Sequence, residues 1–272
     1  MQLSQDEILK VMNEIRELRS RNLSYSGIVK KLKSKGIKIS KATVIRWYKG
    51  LHNPFNRMKY VKLEPSPELS YIIGVMFGDG SISFGRSGRS YKYRIRLKVI
   101  DKEFAEEFKR CLEALGLNPS LRLERDKTRT DRWCVEVCSK SLYMFLKQPK
   151  EKLFEIAREF SKEFLRGFFD SEGSVSWDRK RKKLSVRACN YDLELLYFVQ
   201  ELLALLNIHS KIYVQAREGK IVKIRNKYYS YKQNLYSIDI YRREAVIKFA
   251  RIIGFTISRK AEKLKNCLEF FG

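Results

Sequence analysis

Two segments of the chain are near copies of each other, and this repeat constrains the fold more than any other feature. They read IIGVMFGDG at 72–80 and LRGFFDSEG at 165–173, and each ends in a carboxylate followed by glycine. The carboxylates are Asp79 and Glu172, which lie 93 residues apart. Small residues let two helix backbones approach closely, so we expect helix packing at Gly74, Gly78, Gly167 and Ser171. Two helices packed side by side would bring both acids to one end, where paired carboxylates can hold divalent cations against a phosphate.

The charge balance points to a polyanionic partner. The 272 residues include 57 Lys and Arg against 31 Asp and Glu, a formal net charge of +26, which makes nucleic acid the first candidate and a membrane surface the second. No apolar run is long enough to cross a membrane, and the N-terminus lacks a signal-peptide core. We therefore expect a soluble, cytoplasmic, nucleoid-associated protein. The five cysteines are scattered, which favours reduced core cysteines over a structural zinc site.

Residues 1–50 show the pattern of a small helical module. Apolar residues recur at helical spacing over 6–18, and Ser24 and Ser40 are suited to cap a second and a third helix. Two short helices joined by a turn with glycine form the helix-turn-helix pattern. The third helix would expose Lys41, Thr43 and Arg46, residue types that contact phosphates and base edges. The alternative is a generic three-helix bundle with a solvated basic face.

Basic residues alternate with apolar ones in two predicted strands. Over residues 91–98 the apolar side chains share one face, and the outward positions are Lys92, Arg94, Arg96 and Lys98. In a second strand the outward positions are Lys183, Ser185 and Arg187. Four successive basic positions without one acid indicate a face that meets something anionic, and a plain solvated face is the alternative.

The order of predicted elements repeats. A helix that starts after Pro65 and ends near Gly78 is followed by two strands, a helix, two strands and a helix, and the same order begins again near Ser161. We therefore predict an α+β fold with a duplicated α-β-β-α-β-β-α unit, preceded by a small all-α domain. The predicted boundaries are 1–50 for the helical module, 51–64 for a linker, 65–160 for the first half and 161–272 for the second half.

The two motifs and the order of elements around them resemble LAGLIDADG homing endonucleases of the single-chain, two-motif type. The resemblance covers roughly residues 65–272, and the first 50 residues are similar to the helix-turn-helix module attached to some of these enzymes. It implies a pseudo-two-fold saddle over the DNA major groove. It also implies a monomer that binds double-stranded DNA with a long target site.

The resemblance further implies that Asp79 and Glu172 bind divalent metal, usually Mg²⁺ or another divalent cation such as Mn²⁺. The reaction would be hydrolysis of one phosphodiester on each strand. These enzymes often add one basic residue per half near the end of the last strand, and the equivalent positions give Lys140 and Arg243. Arginine cannot serve as a general base, so an electrostatic role is expected for Arg243.

Three functions remain open at this point. The favoured one is a sequence-specific DNA endonuclease, and the others are an RNA maturase and a catalytically inactive DNA-binding regulator of the same family. Retention of Asp79 and Glu172 argues against the regulator. The helix-turn-helix argues against the maturase, because the deep major groove of A-form RNA excludes a recognition helix. The chain starts at Met1 without intein splice-junction residues, which favours a free-standing or intron-encoded gene.

Overall fold

The structure is a computed structural model. It describes residues 5–51, 61–87, 90–125, 130–178, 180, 183–224 and 227–270. The chain divides into two compact units, Met1–Tyr60 and Val61–Gly272. Most of the predicted linker, residues 52–60, lies outside the described residues. Within the described part of the chain, no helix combines the length and apolar character that crossing a membrane requires.

The first unit contains three helices. These are α1 (Gln5–Ser20), α2 (Tyr25–Ser34) and α3 (Lys41–Tyr48). Both predicted caps form, because the Ser24 hydroxyl accepts a hydrogen bond from Gly27 N and the Ser40 hydroxyl accepts one from Thr43 N, each at 3.1 Å. The helices enclose a small apolar core of Val11, Ile15, Leu18, Ile28, Leu32, Val44 and Trp47. This unit therefore has a core of its own.

The second unit begins with one copy of the repeat. Its elements are α4 (Pro67–Met76), β1 (Gly80–Ser87), β2 (Ser90–Val99), α5 (Lys102–Ala114), β3 (Ser120–Glu124), β4 (Arg132–Cys138), α6 (Lys140–Leu146) and α7 (Lys150–Glu159). The predicted closing helix is present as α6, and a second helix that was not predicted, α7, follows it. Pro149 separates them, since proline has no N–H to donate and cannot continue a helix.

The second copy follows directly. Its elements are α8 (Ser161–Glu172), β5 (Gly173–Asp178), β6 (Lys183–Asn190), α9 (Leu193–Leu205), β7 (Lys211–Ala216), β8 (Ile221–Ile224), β9 (Lys227–Ser230), β10 (Leu235–Ile240), α10 (Arg243–Ile252) and α11 (Ser258–Glu269). The predicted α+β duplication is confirmed, with two differences. The single terminal helix is interrupted at Gly254, whose φ is +64°. The predicted basic loop before β10 contains the β8–β9 hairpin, for which the first half has no described counterpart.

Two four-stranded antiparallel sheets carry the basic faces. Their strand orders are β1-β2-β4-β3 and β5-β6-β10-β7, so corresponding strands occupy corresponding places. In each sheet the helices pack on one face, where Ile95 and Leu97 of β2 and Val186 and Ala188 of β6 are fully buried. The outward positions of the same strands carry the charged side chains, as the alternation predicts.

Candidate functional site

Helices α4 and α8 pack against each other with their backbones in direct contact. A Cβ added at Gly74 would lie under 3.0 Å from the backbone of α8, and one at Gly167 would lie under 3.0 Å from the backbone of α4. Nearer the ends of the helices, a Cβ at Gly78 would lie under 3.0 Å from the side chain of Ser171. All four small residues named from the sequence thus lie where the helices touch, and at Gly74, Gly78 and Gly167 the distance leaves no room for a Cβ.

The close packing brings the two motif carboxylates to the same end of the helix pair. Asp79 is the third residue after Met76, where α4 ends, and Glu172 is the last residue of α8. Burial of Glu172, with the charge of Asp79 beside it, raises the pKa of the Glu172 carboxyl to about 7. Partial burial of the Asp79 carboxyl also raises its pKa, although the residue as a whole is exposed. Two carboxylates that oppose each other's ionisation form a site that favours a cation.

A buried lysine that the sequence analysis did not identify lies beside these acids. Lys260 on α11 is 8% exposed, and its Nζ donates hydrogen bonds to Asp170 O at 2.6 Å and Phe169 O at 3.3 Å. Burial lowers its pKa, and its charge lowers the pKa of both Asp79 and Glu172. Of the three lysines of α11, Lys260 alone shares the buried face of Leu264 and Cys267 at helical spacing, and this spacing is the signal that could have identified it.

Another carboxylate of the second motif has structural partners. Asp170 is 1% exposed, and it accepts hydrogen bonds from the Tyr71 hydroxyl at 2.9 Å and from Thr256 N at 2.8 Å. Burial raises its pKa. These bonds join α4, α8 and the segment before α11, so Asp170 holds in place the helices that carry the two site acids.

Comparison with known proteins agrees with this architecture. The model of the LAGLIDADG-like domain matches residues 66–148 and 159–254. The chain belongs to the LAGLIDADG-like family. The uncharacterized protein MJ0398 of Methanocaldococcus jannaschii is 48% identical over 269 residues, which are 98% of this chain and 96% of that protein. A DNA polymerase of Thermococcus hydrothermalis is 27% identical over 252 residues, which are 88% of this chain and 14% of the polymerase.

Solved structures share the LAGLIDADG fold with this chain. Structures of the homing endonuclease I-DmoI, one of them in complex with DNA and Ca, have a TM-score of 0.51 at 21% identity. Each match covers 74% of this chain and 97% of I-DmoI. The predicted resemblance to a single-chain, two-motif LAGLIDADG protein is therefore confirmed.

The basic faces of the two LAGLIDADG sheets contain acids that the strand pattern did not reveal. In the first half, Glu136 of β4 pairs with Arg96, and Glu124 of β3 pairs with Lys98 at 2.5 Å. Arg94 lies 3.8 Å from Glu136 and Lys92 is exposed. The row of basic positions without an acid is confined to β2, because the neighbouring strands place carboxylates between its cations.

The second LAGLIDADG sheet has the same arrangement. Arg187 on β6 donates from Nε to Asp239 Oδ1 at 2.8 Å and from Nη2 to Asp239 Oδ2 at 2.5 Å. Lys183 is exposed and Ser185 is half-buried on the same face. The three predicted outward residues of this strand thus lie together, and one of them is held by a buried acid.

The two basic residues taken from the family pattern start the helices that follow the last strands. Lys140 is the first residue of α6 and is exposed, with Nζ 5.9 Å from the centre of the Tyr93 ring. Arg243 is the first residue of α10. The cations that lower the pKa of Asp79 are Lys260 and Arg132. Roles for Lys140 and Arg243 in the reaction stay predictions.

In the first unit, the predicted contact residues lie on or near the surface of α3. Lys41 and Arg46 are exposed, and Thr43 is half-buried with its hydroxyl 2.9 Å from the Ser40 hydroxyl. Thr43 therefore contributes to the N-terminal cap of α3. Recognition of DNA by this helix stays a prediction.

Proposed function

We propose that this protein is a sequence-specific double-strand DNA endonuclease that hydrolyses one phosphodiester on each strand with a divalent cation. The observation that carries the proposal is the meeting of Asp79 and Glu172 at one end of two helices in backbone contact. A surface with a formal net charge of +26 supplies the affinity for a polyanion.

The donor set fits a cation that is shared with the substrate. Among the described residues, no group of three or more His, Cys, Asp and Glu side chains could hold a metal ion. Asp79 and Glu172 would therefore supply two carboxylate ligands, and phosphate oxygens and water would supply the others, as Mg²⁺ prefers. The bound cation, Mg²⁺ or Mn²⁺, would neutralise phosphate charge and activate a water molecule.

The surrounding residues have separate tasks in this proposal. Lys260 offsets the repulsion between the two acids before a cation binds, because its charge favours the ionised form of both. Arg96 and Arg187 stand on the outward faces of the sheets, where they would contact DNA. Lys140 and Arg243 would stabilise the negative charge that develops on the phosphate.

We also propose that the first unit is a helix-turn-helix that lengthens the bound DNA site through Lys41, Thr43 and Arg46. The protein would act as a monomer, because one chain carries both motif acids. Removal of residues 1–50 should leave a folded Val61–Gly272 unit, which has its own core. A shorter footprint on DNA would support this role, and an unchanged footprint would contradict it.

The test is a cleavage selection on a library of randomised duplexes in the presence of MgCl₂ or MnCl₂. Asp79→Asn and Glu172→Gln should each abolish cutting while DNA binding persists, since affinity comes mostly from phosphate contacts. Glu155→Gln, on the exposed side of α7, makes the same change of charge away from the site and should cut normally.

The outcome also separates the proposal from its alternatives. Double-strand cleavage that is lost in both acid variants supports the endonuclease. Binding to duplex DNA without cleavage by the unaltered protein would indicate a DNA-binding regulator. Preference for a structured RNA over duplex DNA would indicate an RNA maturase.

A further inference from the structure

Each of the two sheets contains a pair formed by an arginine and an acid, and the two pairs occupy corresponding positions. Strand register defines the equivalence: Gly80 pairs with Leu97, and the corresponding Gly173 pairs with Ala188. One residue before Leu97 is Arg96, which pairs across the sheet with Glu136. One residue before Ala188 is Arg187, which pairs across the sheet with Asp239. The pseudo-two-fold relation therefore equates the Arg96–Glu136 pair with the Arg187–Asp239 pair.

A serine on the neighbouring strand lies opposite each arginine, so a row of serine, arginine and acid crosses each sheet. Ser81 on β1 lies opposite Arg96, and its hydroxyl donates to Arg96 O at 3.2 Å. Ser174 on β5 lies opposite Arg187, and its hydroxyl donates to Arg187 O at 3.3 Å. Each serine is the second residue after a motif acid in the chain. Both rows thus begin beside the acids that the proposed reaction uses.

Each carboxylate accepts hydrogen bonds from the same edge of its arginine. Arg96 uses Nε and Nη2 toward Glu136, and Arg187 uses Nε and Nη2 toward Asp239. A guanidinium held through Nε and Nη2 keeps its far edge, formed by Nη1 and the second Nη2 hydrogen, directed away from the carboxylate. An arginine presents two such donors when it binds O6 and N7 of guanine in the major groove.

The acids lie beneath the arginines. The side chain of Asp239 is 8% exposed against 37% for Arg187, and that of Glu136 is 19% exposed against 40% for Arg96. In the first half, Glu136 also lies 3.8 Å from Arg94 and 3.7 Å from Arg122. A partly or fully buried carboxylate restricts the directions in which its arginine can reach, because departure of the arginine would leave the shielded negative charge without a partner.

We propose that Glu136 and Asp239 are specificity-determining residues of the DNA site. Each holds its arginine in the orientation that reads guanine, and each opposes a shift of that arginine to a phosphate of an unmatched sequence. Discrimination between DNA sequences then depends on a favourable contact with guanine and also on an unfavourable contribution against unmatched sequences. This inference rests on the proposed DNA-binding function, and it assigns the guanine contacts to Arg96 in one half-site and Arg187 in the other.

The experiment compares Glu136→Gln and Asp239→Asn with a matched control. Glu201→Gln removes the same charge and breaks an arginine ion pair, with Arg158 at 2.9 Å, but between helices α7 and α9. The full chain of each variant is titrated with a labelled mixed-sequence duplex at several salt concentrations. The two sheet variants should bind this duplex severalfold more tightly than the control, with a salt slope steeper by about one unit, because a freed arginine gains a phosphate contact.

Selection from a randomised duplex library measures the second effect. Each sheet variant should lose guanine preference at one position of its own half-site and keep the preferences of the other half-site. Arg96→Lys gives a check that leaves both acids in place: it keeps the cation and loses the planar fork, so guanine preference should fall at the position that Arg96 reads. Thermal melts of all variants establish that they are folded.

The possible results are distinct. If the unaltered protein binds no duplex DNA, the proposed function fails and the inference fails with it. If it binds DNA but Glu136→Gln and Asp239→Asn match Glu201→Gln in affinity and in selected sequences, the inference alone is overturned. If a variant is unfolded, the Arg96→Lys result decides, because unchanged guanine preference there contradicts the assignment.

Discussion

The hydroxyl of Tyr71 on α4 donates a 2.9 Å hydrogen bond to the Asp170 carboxylate on α8, and both side chains are at least 98% buried. The bond crosses the interface between the two LAGLIDADG helices. Burial with the charge of Asp170 beside it raises the pKa of the Tyr71 phenol, so this tyrosine stays a donor at neutral pH. The halves of the repeat are therefore joined by a polar bond inside an apolar interface.

Tyr71→Phe should lower the free energy of unfolding by about 1–3 kcal/mol, because the buried Asp170 carboxyl would lose one of its hydrogen-bond donors. Urea denaturation followed by circular dichroism measures the change. Tyr197→Phe is the matched control, since that side chain is 58% exposed on α9. Equal effects of the two substitutions would contradict a stabilising role for the bond.

Gly167→Ala should destabilise the protein by about 1–3 kcal/mol or more, because the new methyl group would overlap the backbone of α4 and push the helices apart. Thermal denaturation of the variant measures the loss. Gly85→Ala on β1 is the control, since the atom nearest to its added Cβ is the Arg94 Nη1 at 3.8 Å. A variant as stable as this control would show that the helix contact tolerates a side chain.

The raised pKa of Glu172 predicts a pH dependence of stability. Its folded-state pKa of about 7 exceeds the ordinary value of 4.5, so the folded protein binds more protons than the unfolded chain between these values. Without divalent cations, the contribution of Glu172 to stability should therefore fall as pH rises from 4.5 to about 7. Urea denaturation in EDTA measures this change.

Glu172→Gln should remove this part of the pH dependence, because glutamine does not titrate. Added Mg²⁺ should stabilise the unaltered protein most above pH 7, where the cation no longer competes with a proton. If the variant and the unaltered protein show the same slope of stability against pH, the coupling between Glu172 and folding is absent.

Lys260→Gln should raise the pH above which the two acids bind a divalent cation. Without the lysine charge, the pKa values of Asp79 and Glu172 rise further, so the acids ionise and bind a cation at a higher pH than before. The measurement is Mn²⁺ binding against pH by electron paramagnetic resonance. Lys263→Gln is the control, because that residue is exposed on the same helix. Identical binding curves for the two variants would show that Lys260 has no electrostatic role at the acids.

Local patterns in the sequence predicted much of the fold. Period-two alternation over residues 91–98 placed Ile95 and Leu97 on the buried face, because side chains in a strand alternate between faces regardless of the strand's neighbours. Serine caps predicted the starts of α2 and α3, because the cap bonds to a backbone N–H three residues on. The repeated motif predicted two helices that end in acids.

The sequence patterns did not predict where the closing helices divide or where an extra hairpin is inserted. The closing helices divide at Pro149 and Gly254, where the sequence analysis predicted one helix each. The β8–β9 hairpin lies in a stretch whose basic composition led to the prediction of a loop. Strand formation there depends on pairing between Ile221–Ile224 and Lys227–Ser230, which composition does not report.

The sequence by itself determined the pair of motif helices, the motif acids Asp79 and Glu172, and the basic faces of the strands. Each of these features depends on residues that lie near one another in the chain. Tertiary structure alone decided which charges meet. Strand order puts Glu136 beside Arg96 and Asp239 beside Arg187, and the return of α11 puts Lys260 beside the acids. Such contacts join residues at least 40 positions apart in the chain, and they arise from packing rather than from any local pattern.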